Sequence, residues 1–249
     1  MKKQKSNVQT AAVNLRLDWC SYKAAKYAVM NWHYSKKMPA GKNVYIGAWE
    51  ENKFIGVVIF GMGSGNSTNG TKYGLTRSYE MAELVRVALN NHLSPTSKVV
   101  SFAIKMVSKY CSGLRLLISF ADMEQNHLGI LYQATNWIYA GTTGNGRVGF
   151  IIHGRKTHTR SIGAKKGGIQ SLGWVQNHLD PNAKIWTGKE KHRYLYPLDK
   201  EMRKQIEPLR KPYPKRPAGE KVSRPANQPE VGGSIPTAGL EKEVELQRI

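Results

Sequence analysis

The sequence predicts an α/β (α+β) fold in which helices flank a central mixed sheet, followed by a basic C-terminal extension. The first observation behind this prediction is a series of short apolar or alternating runs, typical of β-strands, along residues 1–146. The second is that segments with the apolar spacing of helices separate several of these runs. Strands and helices that alternate with short links are typical of an α/β architecture.

A helix and a hairpin are predicted at the start of this region. Residues 19–32 are rich in helix formers and have small and apolar residues at helical spacing, which predicts a helix. Residues 44–49 and 53–60 are apolar or alternating and are separated by a polar link, so they predict a β-hairpin. The segment 61–70 predicts a flexible loop, because its glycine spacing is too weak a signal for a phosphate site.

The next predicted elements alternate between strand and helix. The segment 94–98 has the Ser and Pro that are typical of a helix start, and apolar residues recur after it at helical spacing. Residues 114–121 are almost continuously apolar, which predicts a strand that is buried on both faces. In order, the predicted elements are a strand over 83–89, a helix from 94–98 onward, a strand over 114–121, a helix over 128–137 and a short strand over 138–141.

The charge is strongly positive and unevenly placed. The chain has 38 Lys and Arg against 17 Asp and Glu, which gives a formal net charge of +21. In order along the chain, the net charge is +8 over 1–42, +2 over 43–146, +12 over 147–216 and −1 over 217–249. Basic segments around a nearly neutral centre indicate a nucleic acid as the partner, although a basic surface that only favours solubility is the alternative. The candidate DNA contacts are Arg147, Arg155, Lys156, Arg160, Lys165, Lys166, Lys191 and Arg193.

Charge and composition predict three parts. We expect residues 1–146 to form a catalytic core with a basic N-terminal arm, and residues 147–206 to form a basic, DNA-contacting extension packed on that core. Within this extension, residues 153–158 are expected to form a phosphate-contacting loop. Residues 207–249 hold seven of the eleven prolines and few apolar residues, so we expect a disordered tail there.

Cysteine content and hydropathy indicate the setting of the protein. The two cysteines, Cys20 and Cys111, match no disulfide or metal pattern, which indicates a reducing, cytoplasmic environment. No apolar run approaches the ~20 residues of a membrane span, so no membrane association is expected. The sequence leaves the oligomeric state open, with a homodimer as one option.

Two segments resemble the GNAT N-acyltransferases. Residues 131–137, followed by Tyr139 and Gly141, resemble the segment that ends the acyl-CoA fold of that family. Residues 83–87 resemble the strand whose backbone pairs with the pantetheine arm, which would present the start of the next helix to the pyrophosphate. The usual glycine-containing pyrophosphate motif is absent, and residues 94–98 stand in its place. The resemblance implies a GNAT-like fold and an acyl-CoA cofactor.

Five separated clusters resemble, more narrowly, the phage Mom DNA-modification family. They are Trp32-His33-Tyr34, Glu83-Leu84-x-Arg86, Ser119-Phe120-Ala121-Asp122, Gly129-x-x-Tyr132-Gln133-Ala134 and Lys191-His192-Arg193-Tyr194. This resemblance implies an enzyme that modifies the exocyclic N6 amine of adenine in DNA to a methylcarbamoyl form and so protects the DNA from restriction. It also implies acetyl-CoA and a bound Fe(II).

The resemblance implies a role for each candidate residue. Asp122 is predicted to act as a general base or to accept a hydrogen bond from the amine, and a helix N-cap is its structural alternative. Tyr132 matches the tyrosine that protonates the departing thiolate, and a core position is its alternative. His33 and Tyr34 are further candidate catalytic residues, and His33 with Asp122 would be the iron ligands. The candidate cofactor-binding residues are Arg86, Ser97, Lys98 and Ser119.

Two other functions remain open from the sequence alone. One is a conventional GNAT acetyltransferase that acts on an amine of a protein or small molecule, although the absent glycine motif and the basic segment disfavour it. The other is a non-enzymatic, basic nucleic-acid-binding protein, which would leave Asp122 and Tyr132 without a role.

Overall fold

The structure of the protein is a computed structural model, which describes residues 13–62, 70–144, 148–166, 168 and 171–215. Local sequence signals determine where its helices and strands begin and end. The fold class is the predicted one, α/β with a central mixed sheet and flanking helices. The described residues divide into two compact units, one before and one from Ile118. The functional division expected near residue 146 stays a prediction.

The first unit is an antiparallel sheet with two helices. Its elements are β1 (Leu15–Trp19), α1 (Tyr22–Trp32), β2 (Asn43–Glu50), β3 (Lys53–Gly61), β4 (Met81–Leu89) and α2 (Thr96–Tyr110). Strands β1 to β4 lie side by side in chain order, and each pairs antiparallel with the next. The predicted hairpin, the third strand and the helix from 94–98 are therefore confirmed. Strand β1 was not predicted, because its alternation is too short to stand out from the basic arm.

Helix α1 shows how sequence sets a boundary and a buried face. The predicted helix over 19–32 begins only at Tyr22, because the Ser21 hydroxyl accepts the backbone N–H of Ala24 at 3.2 Å and caps it. Its apolar face packs on the sheet. The buried residues of this packing are Ala25, Ala28, Val29, Val57, Ile59 and Ala88.

A buried carboxylate at the end of β2 fixes the segment that leads into α2. The carboxylate of Glu50, whose residue is only 6% exposed, accepts the backbone N–H groups of Leu93 and Ser94 at 2.7 and 2.6 Å. Burial opposes the ionisation of Glu50, but these hydrogen bonds and the nearby His92 outweigh it and lower its pKa. Glu50 thereby determines where α2 begins.

The second unit contains the end of β5 and the elements that follow it. These elements are β5 (Leu116–Asp122), α3 (Ile130–Ala134), β6 (Ile138–Thr142), β7 (Val148–Ile152), β8 (Arg155–His158), α4 (Thr159–Lys166), α5 (Leu172–His178), β9 (Lys184–Thr187), β10 (Lys191–Pro197) and α6 (Lys200–Ile206). Strand β10 lies between β5 and β6 and is antiparallel to β6, whereas β8, β7 and β9 form a separate sheet in that order. The two strands predicted over 114–121 and 138–141 are confirmed.

Three predictions for this unit need correction. Residues 153–158 are not a loop but the turn and second strand of the β7–β8 hairpin. The helix predicted over 128–137 is only α3, because Gly129 and Asn136 adopt left-handed backbone (φ 70° and 61°) on either side of it. The tail does not begin at Glu207, since the backbone N–H of Lys211 donates to Tyr139 O at 2.8 Å and the Tyr213 hydroxyl to Trp137 O at 2.6 Å. The rest of the predicted tail, from residue 216, lies outside the described residues.

Within the part of the chain that the structure describes, no helix has the length and apolar character needed to cross a membrane.

The structure predicts that Glu50→Gln lowers the free energy of unfolding at neutral pH by about 1–3 kcal/mol, the cost of disturbing hydrogen bonds to a buried charged group. Because the pKa of Glu50 is lowered by folding, its stabilisation is complete above the unfolded pKa of about 4.3 and is lost as the pH falls through the lower folded pKa. Urea unfolding of wild type and variant across this pH range measures both effects.

The matched control is Glu201→Gln, which removes an exposed carboxylate that pairs with Lys204 at 3.1 Å. Exposed pairs of this kind contribute little, so the control is expected to cost less than about 0.5 kcal/mol. Equal losses from the two variants would contradict the role assigned to Glu50.

Candidate functional site

The carboxylate of Asp122 stands at the end of β5 and is ion-paired with Lys191 of β10. Lys191 Nζ is 2.9 Å from Asp122 Oδ2, and both side chains remain partly exposed. The other carboxylate oxygen accepts the backbone N–H of Glu124 at 3.0 Å. Asp122 therefore has the N-cap role that was its structural alternative, and it also presents a charge at the end of a strand.

Two opposing effects set the protonation of Asp122. Burial opposes its ionisation, but the hydrogen bond and the positive charge of Lys191 outweigh burial and lower the pKa of Asp122. The carboxylate is consequently ionised at neutral pH. An anion with a low pKa is a weak proton acceptor but a strong hydrogen-bond acceptor, so Asp122 is better suited to hold a donor than to deprotonate it.

Ser119 and Tyr132 form the second pair of predicted residues that the fold brings together. Ser119 is buried in β5, and its hydroxyl donates to the phenol oxygen of Tyr132 at 2.7 Å. The Tyr132 ring packs against Trp137 and Tyr194, with ring centroids 5.2 and 4.9 Å apart. The Ser119 hydrogen bond thus holds the Tyr132 hydroxyl against β5.

Tyr194 of β10 holds the start of α3. Its hydroxyl donates to Leu128 O, and the same carbonyl accepts Gln133 Nε2 at 2.9 Å. A Cβ at Gly129 would lie 2.4 Å from the Tyr194 ring, so only glycine fits there, and its left-handed φ of 70° also favours glycine. Tyr194 and Gly129 thus lock together one turn before Tyr132.

A buried pair continues from Tyr194. The Tyr139 ring lies 5.3 Å from that of Tyr194, and the Tyr139 hydroxyl lies 3.0 Å from His192 Nδ1. Burial raises the pKa of Tyr194 to about 12, raises the pKa of Tyr139 and lowers the pKa of His192. All three groups are therefore neutral at neutral pH, and they support the site without adding charge to it.

His33 and Tyr34 lie at the end of α1, in the first unit. The backbone N–H of His33 donates to Val29 O and ends the helix. The ring of His33 is buried and packs on that of Tyr34, which is 59% exposed, with centroids 4.4 Å apart. His33 Nδ1 accepts the backbone N–H of Ser35 at 3.1 Å and lies 2.8 Å from its hydroxyl.

These contacts do not fit the predicted iron ligands. The backbone N–H of Ser35 points at Nδ1 of His33, so this nitrogen is already engaged within the turn after α1. Both oxygens of Asp122 are engaged by Lys191 and Glu124. Among the described residues, no group of three or more His, Cys, Asp or Glu side chains could hold a metal ion.

The first unit contains three of the four candidate cofactor residues. Strand β4 has an irregularity at Val85: Ile59 of β3 pairs with Arg86, while the next residue, Phe60, pairs with Leu84. Such a bulge leaves backbone groups unpaired and is common beside active sites. The Arg86 guanidinium donates to Val85 O at 2.6 Å and so supports the bulge.

The other two, Ser97 and Lys98, lie in the first turn of α2. This helix begins after Pro95, and no side chain caps its N-terminus. The N-terminus of a helix presents backbone N–H groups and a partial positive charge, which suit an anion. The Lys98 side chain is exposed, with its ammonium 5.9 Å from the Phe102 ring centroid.

The predicted DNA contacts are placed in different ways. Arg155 and Lys156 are exposed at the start of β8, whereas Lys191 is ion-paired with Asp122 and Arg193 donates to Ala140 O at 3.0 Å. Lys191 and Arg193 are thus engaged within the unit. Arg160, Lys165 and Lys166 belong to α4, and Arg147 lies outside the described residues.

Sequence reasoning missed the supporting roles of Tyr194, Tyr139 and His192. For Tyr194 and His192 a signal was present in residues 191–197, where basic residues alternate with aromatic ones in the way expected of a strand with one buried face. Because this segment is also strongly basic, its sequence equally predicts a DNA-binding surface.

Comparison with known proteins identifies the family. A family model described as the Mom protein family matches residues 14–215, and the chain belongs to this family. A methylcarbamoylase named Mom from Escherichia phage Mu is 24% identical over 208 residues, which are 81% of this chain and 84% of that protein. Among solved structures, a variant of a spermidine N-acetyltransferase from Vibrio cholerae aligns with a TM-score of 0.42 at 10% identity, covering 77% of this chain and 96% of its own. An N-acetyltransferase from Staphylococcus aureus Mu50 aligns with a TM-score of 0.37 at 9% identity, covering 74% and 97%.

The Tyr194–Gly129 lock predicts that Tyr194→Phe lowers the free energy of unfolding by about 1 kcal/mol, since one buried hydrogen bond to Leu128 O is lost while the ring remains. Thermal or urea unfolding measures this loss. Tyr196→Phe removes a hydroxyl from a half-buried tyrosine of the same strand and is the control. If Tyr194→Phe were no less stable than Tyr196→Phe, the hydroxyl would not hold α3.

Proposed function

We propose that this protein is a phage-type DNA-modification enzyme that transfers an acyl-type group to the exocyclic N6 amine of adenine. The observation that supports this most strongly is the family match over residues 14–215, together with the relative that is named a methylcarbamoylase. Direct transfer from acetyl-CoA would leave an acetyl group on N6, whereas a methylcarbamoyl product would require a nitrogen donor in addition to acetyl-CoA. Its biological effect would be to protect phage DNA from restriction in the bacterial cytoplasm.

The reaction needs catalysis at two steps, the attack by the amine and the departure of the thiolate. The N6 amine is a poor nucleophile, because its lone pair is delocalised into the adenine ring. When this nitrogen attacks the carbonyl carbon of an acyl-CoA thioester, a C–N bond forms and the C–S bond breaks. The amine then gives up a proton to water. The sulfur leaves as a thiolate and must be protonated.

Tyr132 would protonate the departing thiolate. A phenol has a pKa of about 10 and a thiol of about 8.5, so the transfer is uphill by roughly 2 kcal/mol in the absence of other groups. The Ser119 hydroxyl, which donates to the phenol oxygen of Tyr132, offsets part of this cost by stabilising the phenolate. Ser119 would therefore act on the proton donor, a role more specific than the cofactor contact expected from the sequence.

Asp122 would hold the amine through a hydrogen bond. Its lowered pKa keeps it ionised at and well below neutral pH, so it can accept an N–H of the adenine amine throughout that range. Lys191 keeps the carboxylate charged and restricts its orientation through the 2.9 Å contact. As positive charge builds on the attacking nitrogen, the attraction of Asp122 increases, which favours the transition state.

The acyl-CoA would be bound by backbone groups of the first unit. The bulge at Val85 interrupts β4 in the strand that the resemblance assigns to the extended arm of the cofactor, and the uncapped start of α2 suits its pyrophosphate. Ser97 and Lys98 would supply the phosphate contacts in place of glycine N–H groups. Acetyl-CoA is the proposed donor.

DNA would be gripped by the basic residues of the second unit. Arg155 and Lys156 are exposed, and α4 contributes three more basic residues. The N6 amine of a paired adenine is not accessible to an active site, so the enzyme would act on a flipped or unpaired base.

Nucleoside mass spectrometry of DNA from cells that express the chain tests this proposal. Wild type should add mass to deoxyadenosine, and the value of that mass distinguishes an acetyl from a methylcarbamoyl group. Tyr132→Phe and Asp122→Asn should each reduce the modified fraction by about a hundredfold or more, the usual effect of losing a proton donor or a charged transition-state contact.

Asp18→Asn and Tyr22→Phe are the matched controls, because both residues are exposed in the first unit. They should modify DNA as wild type does. Unmodified deoxyadenosine in the wild-type sample, or equal modification by Asp122→Asn and wild type, would show that the proposal is wrong.

A further inference from the structure

The small sheet of the second unit places basic and aromatic residues on one face. In this sheet β7 pairs with both β8 and β9: Ile151 lies opposite Lys156 and Lys184, and Gly149 lies opposite Trp186. Residues directly opposite in neighbouring strands point to the same face. Residues 149 and 151 are two apart, so their partners also share this face.

The opposite face of the sheet covers a small core. Phe150, which alternates with Gly149 and Ile151, is 3% exposed and packs with Ile162, Val175 and Ala183. The side chains of Lys156, Lys184 and Trp186 therefore point away from this core. We call these three residues the basic–aromatic face.

The indole of Trp186 packs against the backbone of β7 and lies beside a cation. A Cβ at residue 149 would lie 2.9 Å from its ring, so the indole lies directly over Gly149. The ammonium of Lys156 lies 4.7 Å from the ring centroid, within the range of a cation–π contact. Trp186 is half-buried, while Lys156 and Lys184 are exposed.

The surrounding charge favours an anionic partner. Residues 148–187 contain six Lys and Arg and one acidic residue, Asp180. The Asp180 carboxylate is largely buried and accepts the backbone N–H of His153 at 2.7 Å. Lys156 and Lys184 lie on strands either side of β7, about 10 Å apart, with the indole between β8 and β9.

We propose that the basic–aromatic face binds an unpaired stretch of DNA, with one base stacked on Trp186 and the adjoining phosphates on Lys156 and Lys184. Aromatic side chains beside cations on a sheet are how single strands are bound without sequence preference. A paired base offers no free face to an indole, so the face selects unpaired DNA over a duplex. Lys156 can move from the ring to a phosphate without a change of backbone.

This inference rests on the proposed function, in which a base leaves the duplex during modification. Trp186 would hold DNA that has become unpaired in that step. The basic–aromatic face then binds DNA through base stacking as well as through charge.

Fluorescence anisotropy with a short labelled oligo(dT) strand and with a matched blunt duplex tests the inference. Trp186→Leu should weaken binding of the single strand by about tenfold and change duplex binding by less than about twofold, since one base stack is lost. Trp186→Phe should restore most of the affinity. Lys156→Gln should instead lower the slope of log affinity against log salt by about 0.7.

Trp19→Leu, at an exposed tryptophan of the first unit, is the control and should bind as wild type does. Wild-type affinity in Trp186→Leu, equal losses for single strand and duplex, or a wild type that binds heparin as tightly as oligo(dT), would each overturn the inference. The binding assay and the modification assay together separate failure of this inference from failure of the proposed function. If wild type modifies deoxyadenosine but Trp186→Leu binds single strands normally, only the role of this face is overturned. If Trp186→Leu selectively loses single-strand binding but wild type yields no modified deoxyadenosine, only the proposed enzymatic activity is overturned.

Discussion

Tyr194 occupies the space that a side chain at residue 129 would need, and its hydroxyl binds the carbonyl of the preceding residue. Because of this contact, α3 can begin only where it does, with Gly129 in a left-handed conformation. The ring of Tyr132 then packs against Tyr194 and its hydroxyl meets Ser119. The position of Tyr132, the proposed proton donor, thus depends on Tyr194 of β10, a strand that follows Tyr132 by about sixty residues in the sequence.

Strand β10 has a second effect on the site. Lys191, at its start, pairs with Asp122, so the same strand that holds α3 also keeps the carboxylate ionised. The aromatic side of β10 is buried and neutral, while its basic residues pair with groups of the neighbouring strands. A segment that looks like a surface for DNA in the sequence therefore supports the site from within the second unit.

The fold class and most of the first unit could be predicted from local patterns, because strands β2 to β4 and helix α2 have clear alternation or helical spacing. The chemistry of Asp122 and Tyr132 required the family resemblance, since either residue alone is more often structural. The partners Lys191 and Ser119 could not be predicted as such, because a pairing between residues distant in the chain leaves no local pattern. The engagement of His33 Nδ1 could not be predicted for a related reason: it depends on a turn that residue types alone do not reveal.

The central claim is that this chain moves an acyl group from a CoA thioester to adenine, with Tyr132 as proton donor. It is tested most directly by incubating the purified protein with DNA and acetyl-CoA that carries an isotope label in the acetyl group, then measuring label in the separated nucleosides. The account predicts label in the deoxyadenosine fraction alone, and its loss in Tyr132→Phe. Label that stays out of deoxyadenosine, or that enters it equally well with Tyr132→Phe, would contradict the account.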